Sequence, residues 1–150
     1  MRRIILESPF AGASRLPAWM PGIFHRIARK HAEHANVRYA RACLRDALAR
    51  GDAPLASHLL YTQPGVFNDD NPAERQWGID AGLTWCPTAS ASVVYTDRGI
   101  TEGMRSGIAA AQRAGIPIEY RSLTHATAGA RALARPGTPA RAGTTGHPTT

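Results

Sequence analysis

Apolar residues along this chain fall into short runs whose spacing alternates between two periods. The stretches "RIILES" (3–8), "APLASHLL" (53–60), "SASVVYT" (90–96) and "IPIEYRS" (116–122) are compact apolar runs bounded by polar or turn residues, the pattern of strands. Between them the spacing becomes helical. Residues 36–50 place Val37, Ala40, Leu44, Ala47 and Leu48 on one face, with Arg38, Arg41 and Arg45 turned elsewhere, and Gly51 as a stop. Asn71, Pro72 and Glu74 read as a capping side chain, a first-turn proline and a reciprocal acceptor, so a helix is expected from there to about Trp85. A further helix spans 101–114 and stops at Gly115. Strands separated by helices predict βαβ units and a mainly parallel sheet covered on both faces.

Two segments break this rhythm. Residues 11–35 stand between the first strand and its helix, where a short loop would suffice. After Pro21, the positions Ile23, Phe24, Ile27, Ala28 and His31 allow an extra amphipathic helix, read as a helical insertion that forms a lid, a partner surface or a local embellishment. From Thr124 onward the chain is dense in Ala, Gly, Pro and Thr, and is expected to be a disordered C-terminal tail beyond a single domain over 1–123.

The formal charge of +7 suggests a polyanion partner, but Lys30 is the only lysine among the basic residues and Ala, Gly and Pro abound. Arginine-rich composition of that kind follows from a high-GC coding bias alone. Weak nucleic-acid binding is therefore assigned only to the basic tail, through Arg131, Arg135 and Arg141. No apolar run approaches membrane-spanning length and no signal peptide is recognisable, so a cytoplasmic protein is expected. Cys43 and Cys86 read as reduced thiols, and His25, His31 and His34 lack the companions of a metal site.

The candidate chemistry gathers where strands end. Right-handed crossovers would bring Glu7 and Ser8, Ser57 and His58, and Thr96 and Asp97 to one edge of the sheet. Glu7 is an acid at the end of an expected central strand, costly to bury unless paired, and reads as catalytic, as the partner of a buried arginine or as the cap of a neighbouring helix. Asp97 is a candidate for holding a ribose hydroxyl, or a turn residue; His58 is a candidate proton donor, or a structural hydrogen-bond partner. Glu102, in the first turn of a helix, suits the dipole there whether or not it does chemistry. Asp69 and Asp70 read as the approach to a capped helix. Gly99 and Gly103 flank a helix start that would suit a phosphate, although "GITEG" is neither a P-loop nor a dinucleotide fingerprint and no cofactor is indicated. Gly103, Gly107 and Ala111 make a small face that lets the helix approach the sheet or leaves room for a ligand.

Taken together, "IILESPFAG", "ASHLLYTQPGV" with the following "DDNP", and "VVYTDRGITEGMRSGI" before "GIPIEYRSL" resemble a group of phage and high-GC bacterial proteins. That group is similar to an outlying branch of the nucleoside 2-deoxyribosyltransferase-like fold. The resemblance covers 1–10 and 36–123. It implies a flavodoxin-like three-layer α/β sandwich whose relatives cleave or exchange the N-glycosidic bond of deoxynucleosides or their monophosphates, and which often form homo-oligomers. It also implies a Pro-aromatic turn beside base and sugar, matched by Pro9 and Phe10, and a glutamate that attacks the anomeric carbon. Aligned through "GIPI", that glutamate falls near position 107, where this chain has Gly107. The acids at hand are then Glu7, Asp97 and Glu102, with His58 as donor; Ser8, Pro9, Phe10, Gly99, Thr101, Gly103 and Met104 form the expected substrate-binding set. The expectation is an N-glycosidic hydrolase or transferase acting on a nucleoside monophosphate, against a non-catalytic nucleotide-binding protein or a basic interaction protein.

Overall fold

A computed structural model describes residues 1–13 and 15–124. The tail expected from Thr124 therefore lies outside the described residues except for Thr124 itself. Four strands, β1 (Arg2–Glu7), β2 (Asp52–Leu55), β3 (Ala91–Tyr95) and β4 (Ile118–Arg121), form one all-parallel sheet in the order β2-β1-β3-β4. The helices are α1 (Gly22–Ala49), α2 (Ser57–Leu60), α3 (Pro72–Leu83) and α4 (Glu102–Arg113), with a 3-10 turn at Cys86–Thr88. This is the doubly wound α/β order of the flavodoxin-like class, in which the chain reverses direction across the sheet between β1 and β3.

Alternation along β1 decides what each face receives. Ile4 and Leu6 join Ala91, Val93 and Tyr95 against Tyr39, Cys43 and Ala47 of α1. Ile5 points to the other face, where it packs with Cys86 and with Ala110 of α4. Two residues further on, Glu7 shares that second face. Pro54 is accommodated because β2 is an edge strand.

Three expectations are corrected. Residues 22–49 form one continuous helix, so the second half of the expected insertion is the first half of α1. The remaining strap, 8–13, lies directly on that helix: a Cβ at Gly12 would overlap the carbonyl of Arg29. The buried stripe of α1 is Tyr39, Ala40, Cys43 and Ala47, whereas Leu48 is half-exposed, because β1 and β3 present their large side chains beside Tyr39 and Cys43. The second strand ends at Leu55, and "SHLL" is a short helix.

The cap at Asn71 forms as expected: its side chain accepts from the Ala73 N–H at 3.0 Å. Glu74 accepts from the Asn71 side-chain amide at 2.9 Å and from the Asn68 N–H at 2.8 Å. The last described residues are tied to the fold. Leu123 packs against the α1-side core, and the Thr124 N–H donates to Asp97 at 3.2 Å.

Candidate functional site

Above the carboxyl ends of β1 and β3, at the reversal point of the sheet, lies a cavity of about 350 Å³. Open α/β sheets bind ligands at this place because neighbouring strands send their loops in opposite directions there. Its floor is Ile5, Glu7 and Gly107, one wall is the strap through Phe10 to Ala13, and the opposite wall is built by α2, α3 and the loop between them, with Tyr61, Phe67 and Ile79.

Glu7 is the central feature. No described residue offers its carboxylate a hydrogen bond or a counter-charge, and burial pushes its pKa up to about 8, so it is protonated at neutral pH. The group fits only because position 107 has no side chain, since a Cβ there would overlap the Glu7 carboxylate. The small face of α4 seen in the sequence is thus the niche of a half-buried acid.

His58 enters from the first turn of α2 and reaches across to the loop after β1, where its Nε2 lies 2.9 Å from the Ser8 Oγ. The ring meets Phe10 edge-on, with centroids 6.2 Å apart. Burial lowers its pKa to about 4, so the imidazole is neutral near pH 7 and acts as a hydrogen-bonding group rather than as a strong acid.

The other expected residues divide between the cavity and its surroundings. Ser8, Phe10, Thr101, Gly103 and Met104 line the cavity together with Glu7 and His58. Glu102 also borders it, but its side chain is 87% exposed and paired with Arg105 at 2.9 Å. Pro9 is buried and Gly99 exposed, and neither contributes to the lining.

Asp97 lies away from the cavity and holds the end of the domain. It accepts from the Tyr39 and Ser122 hydroxyls, both at 2.5 Å, and from the Leu123 N–H at 3.1 Å. Burial alone would raise its pKa, but these hydrogen bonds, with that from the Thr124 N–H, hold it well below the usual carboxylate range.

Part of the expected phosphate cradle at 99–103 is engaged by its own turn. The Gly99 N–H donates to the Thr96 carbonyl at 2.9 Å, and Thr101 caps α4 by accepting from the Met104 N–H at 3.4 Å. Among the described lining residues Arg75 alone carries a permanent positive charge, and it is paired with Asp69 at 2.5 Å.

Sequence reasoning reached His58 of α2 but missed the rest of the α2–α3 wall. Gly78 and Gly82 keep α3 open towards Phe67 and Ser57; a Cβ at Gly82 would stand 2.6 Å from the Ser57 Oγ. Their spacing of four in one helix is the same signal that marked Gly103 and Gly107. Among the described residues no group of three or more His, Cys, Asp or Glu side chains is placed to hold a metal ion, and no helix is long and apolar enough to cross a membrane.

Neither the curated proteins nor the solved structures contain a match to this chain. A family model does match, over residues 2–121, which takes in all four strands and every side chain of the cavity described above. The chain therefore belongs to the family described as Domain of unknown function (DUF7768).

Proposed function

We propose that the cavity binds a nucleoside or nucleoside monophosphate and that the protein cleaves or exchanges its N-glycosidic bond, with Glu7 at the reacting centre. One observation carries this reading. An unpaired carboxyl group, protonated near neutrality, stands on the floor of a reversal-point cavity against Gly107, the position at which the sequence resemblance expects a glutamate.

The chemistry asks for such a group. As the C1′–N bond breaks, the sugar becomes oxocarbenium-like and the departing base needs a proton. Neutral Glu7 gives its proton to a ring nitrogen of the base, water adds to C1′, and the proton lost by that water returns to the Glu7 carboxylate. In exchange, a second base adds in place of water. Phe10, Tyr61 and Phe67 offer aromatic surface to a base, and the neutral His58–Ser8 pair offers a donor and an acceptor to a sugar hydroxyl.

Binding without turnover is the second reading, and the state of the other acids favours it. Asp69 is paired with Arg75, Glu74 is engaged by Asn68 and Asn71, and Glu102 is paired with Arg105, so among the described residues no second unpaired carboxylate lines the cavity. Incubation with a panel of deoxynucleosides, ribonucleosides and their monophosphates, with chromatographic detection of free base, separates the two. Base release that falls at least 100-fold in Glu7→Gln supports the first, and saturable binding without base release supports the second. A panel in which nothing binds overturns both.

A further inference from the structure

The strap after β1, which walls the cavity, and the turn after β3, which leads to Thr101 in its lining, are far apart in sequence. A single side chain on α1 holds both. The Asn36 Nδ2 donates to the carbonyls of Phe10 at 3.1 Å and Ala11 at 3.2 Å, while its Oδ1 accepts from the Arg98 guanidinium at 2.9 Å. Arg98 also lies over the Tyr39 ring, 5.1 Å from its centroid, which fixes the guanidinium in place.

The amide has only one orientation that works. Carbonyls accept and a guanidinium donates, so turning the amide over would oppose donor to donor and acceptor to acceptor at all three contacts. Asparagine is also a poor helix former, and Asn36 lies near the middle of a 28-residue helix. Its bonds to the two loops account for its place there. Gly12 adds a second contact between strap and helix, fitting against the backbone of Arg29 and Glu33.

We infer that Asn36 is the positioning residue of the cavity, fixing the strap wall at Phe10 and Ala11 relative to the Arg98 turn, whatever molecule the cavity takes. The strap closes one side of the space above Glu7. Loss of the Asn36 bonds lets it lift from α1 and admits water to the carboxyl.

The test is to follow the Glu7 carboxyl by carbon-detected NMR titration in wild type, Asn36→Asp and Asp46→Asn. Asn36→Asp keeps the shape and the bond from Arg98 but removes both donors to the strap. The Glu7 midpoint is expected to fall by at least one pH unit, and the added negative charge would by itself push it the other way. Asp46→Asn takes the charge from the acceptor shared by the Tyr95 hydroxyl and Arg50 near the other end of α1, weakening both contacts and costing stability without moving Glu7. A Glu7 midpoint in Asn36→Asp equal to wild type, or an equal change in Asp46→Asn, overturns the inference. Should Asn36→Asp not fold, Arg98→Met removes only the second loop's bond; a smaller fall in the midpoint supports the inference and an unmoved midpoint overturns it. No ligand is needed, so the result stands apart from the nucleoside reading.

Discussion

The carboxyl group of Glu7 occupies the space that a side chain at Gly107 would fill. The two residues come from different layers: strand alternation turns Glu7 towards α4, and the small face of α4 brings its backbone close enough to receive the acid.

Gly107→Ala is expected to separate stability from function. A methyl group at 107 gains up to about 1 kcal/mol of helix propensity. It also displaces only the end of a flexible side chain that borders a cavity, so the net change in stability should stay within about 1 kcal/mol. Ligand binding or base release should fall about tenfold or more, because the carboxyl loses its niche. Thermal unfolding alongside the ligand panel checks both halves, and a large loss of stability would show that Glu7 cannot yield.

Stability should depend on pH through Glu7. Its pKa is raised on folding from about 4.5 to about 8, so the native state holds a proton that the unfolded chain gives up. Stability from this group is complete below about pH 4.5 and is lost progressively as the pH rises to about 8, a tenfold change in proton affinity being worth about 1.4 kcal/mol. Glu7→Gln, which stays neutral, should match wild type near pH 4.5 and exceed it by a few kcal/mol at pH 8.5 in urea unfolding. Parallel curves for the two proteins would refute the burial of a protonated acid.

His58 should act in the opposite direction. Its pKa drops on folding from about 6.5 to about 4, so its contribution is present above pH 6.5 and is lost as the pH falls to about 4. His58→Gln, neutral throughout, should lose less stability than wild type between pH 6.5 and 4. Measuring the imidazole protons by NMR gives the same answer directly, and a midpoint near 6.5 would place the ring in water.

Asp97→Asn should act on the fold alone. It removes a charged acceptor from Tyr39, Ser122, Leu123 and Thr124, with an expected cost of about 1–2 kcal/mol at neutral pH given the exposure of the residue. Hydrogen exchange at 122–124 should speed up, while affinity in the cavity stays within about twofold. A specific loss of ligand binding would return Asp97 to the site.

Deoxynucleosides are expected to bind at least as well as their 5′-monophosphates. The amide of Gly99 and the cap of Thr101 are already engaged, and the guanidinium of Arg75 is held by Asp69, so a phosphate finds no free partner among these groups. Calorimetry on matched pairs at low salt tests this. A preference for the monophosphate of tenfold or more would mean that Arg75 exchanges Asp69 for the ligand.

The sequence by itself determined that four strands alternate with helices, the cap at Asn71, the stop at Gly115 and the edge of the sheet where the candidate residues gather, because these depend on periodicity and on turn and capping chemistry within a few residues. It singled out Glu7, His58 and the small face at Gly107 for the same reason: strand ends and glycine spacing are local signals. Only the tertiary structure decided that Glu7 fills the gap at Gly107, that Asp97 accepts from Tyr39, Ser122, Leu123 and Thr124 away from the cavity, and that Asn36 joins two loops. Each of these is a contact between residues at least 25 positions apart in the chain. Whether a carboxylate is unpaired and buried or engaged by hydroxyls depends on which elements the sheet order brings beside it, and no local pattern carries that information.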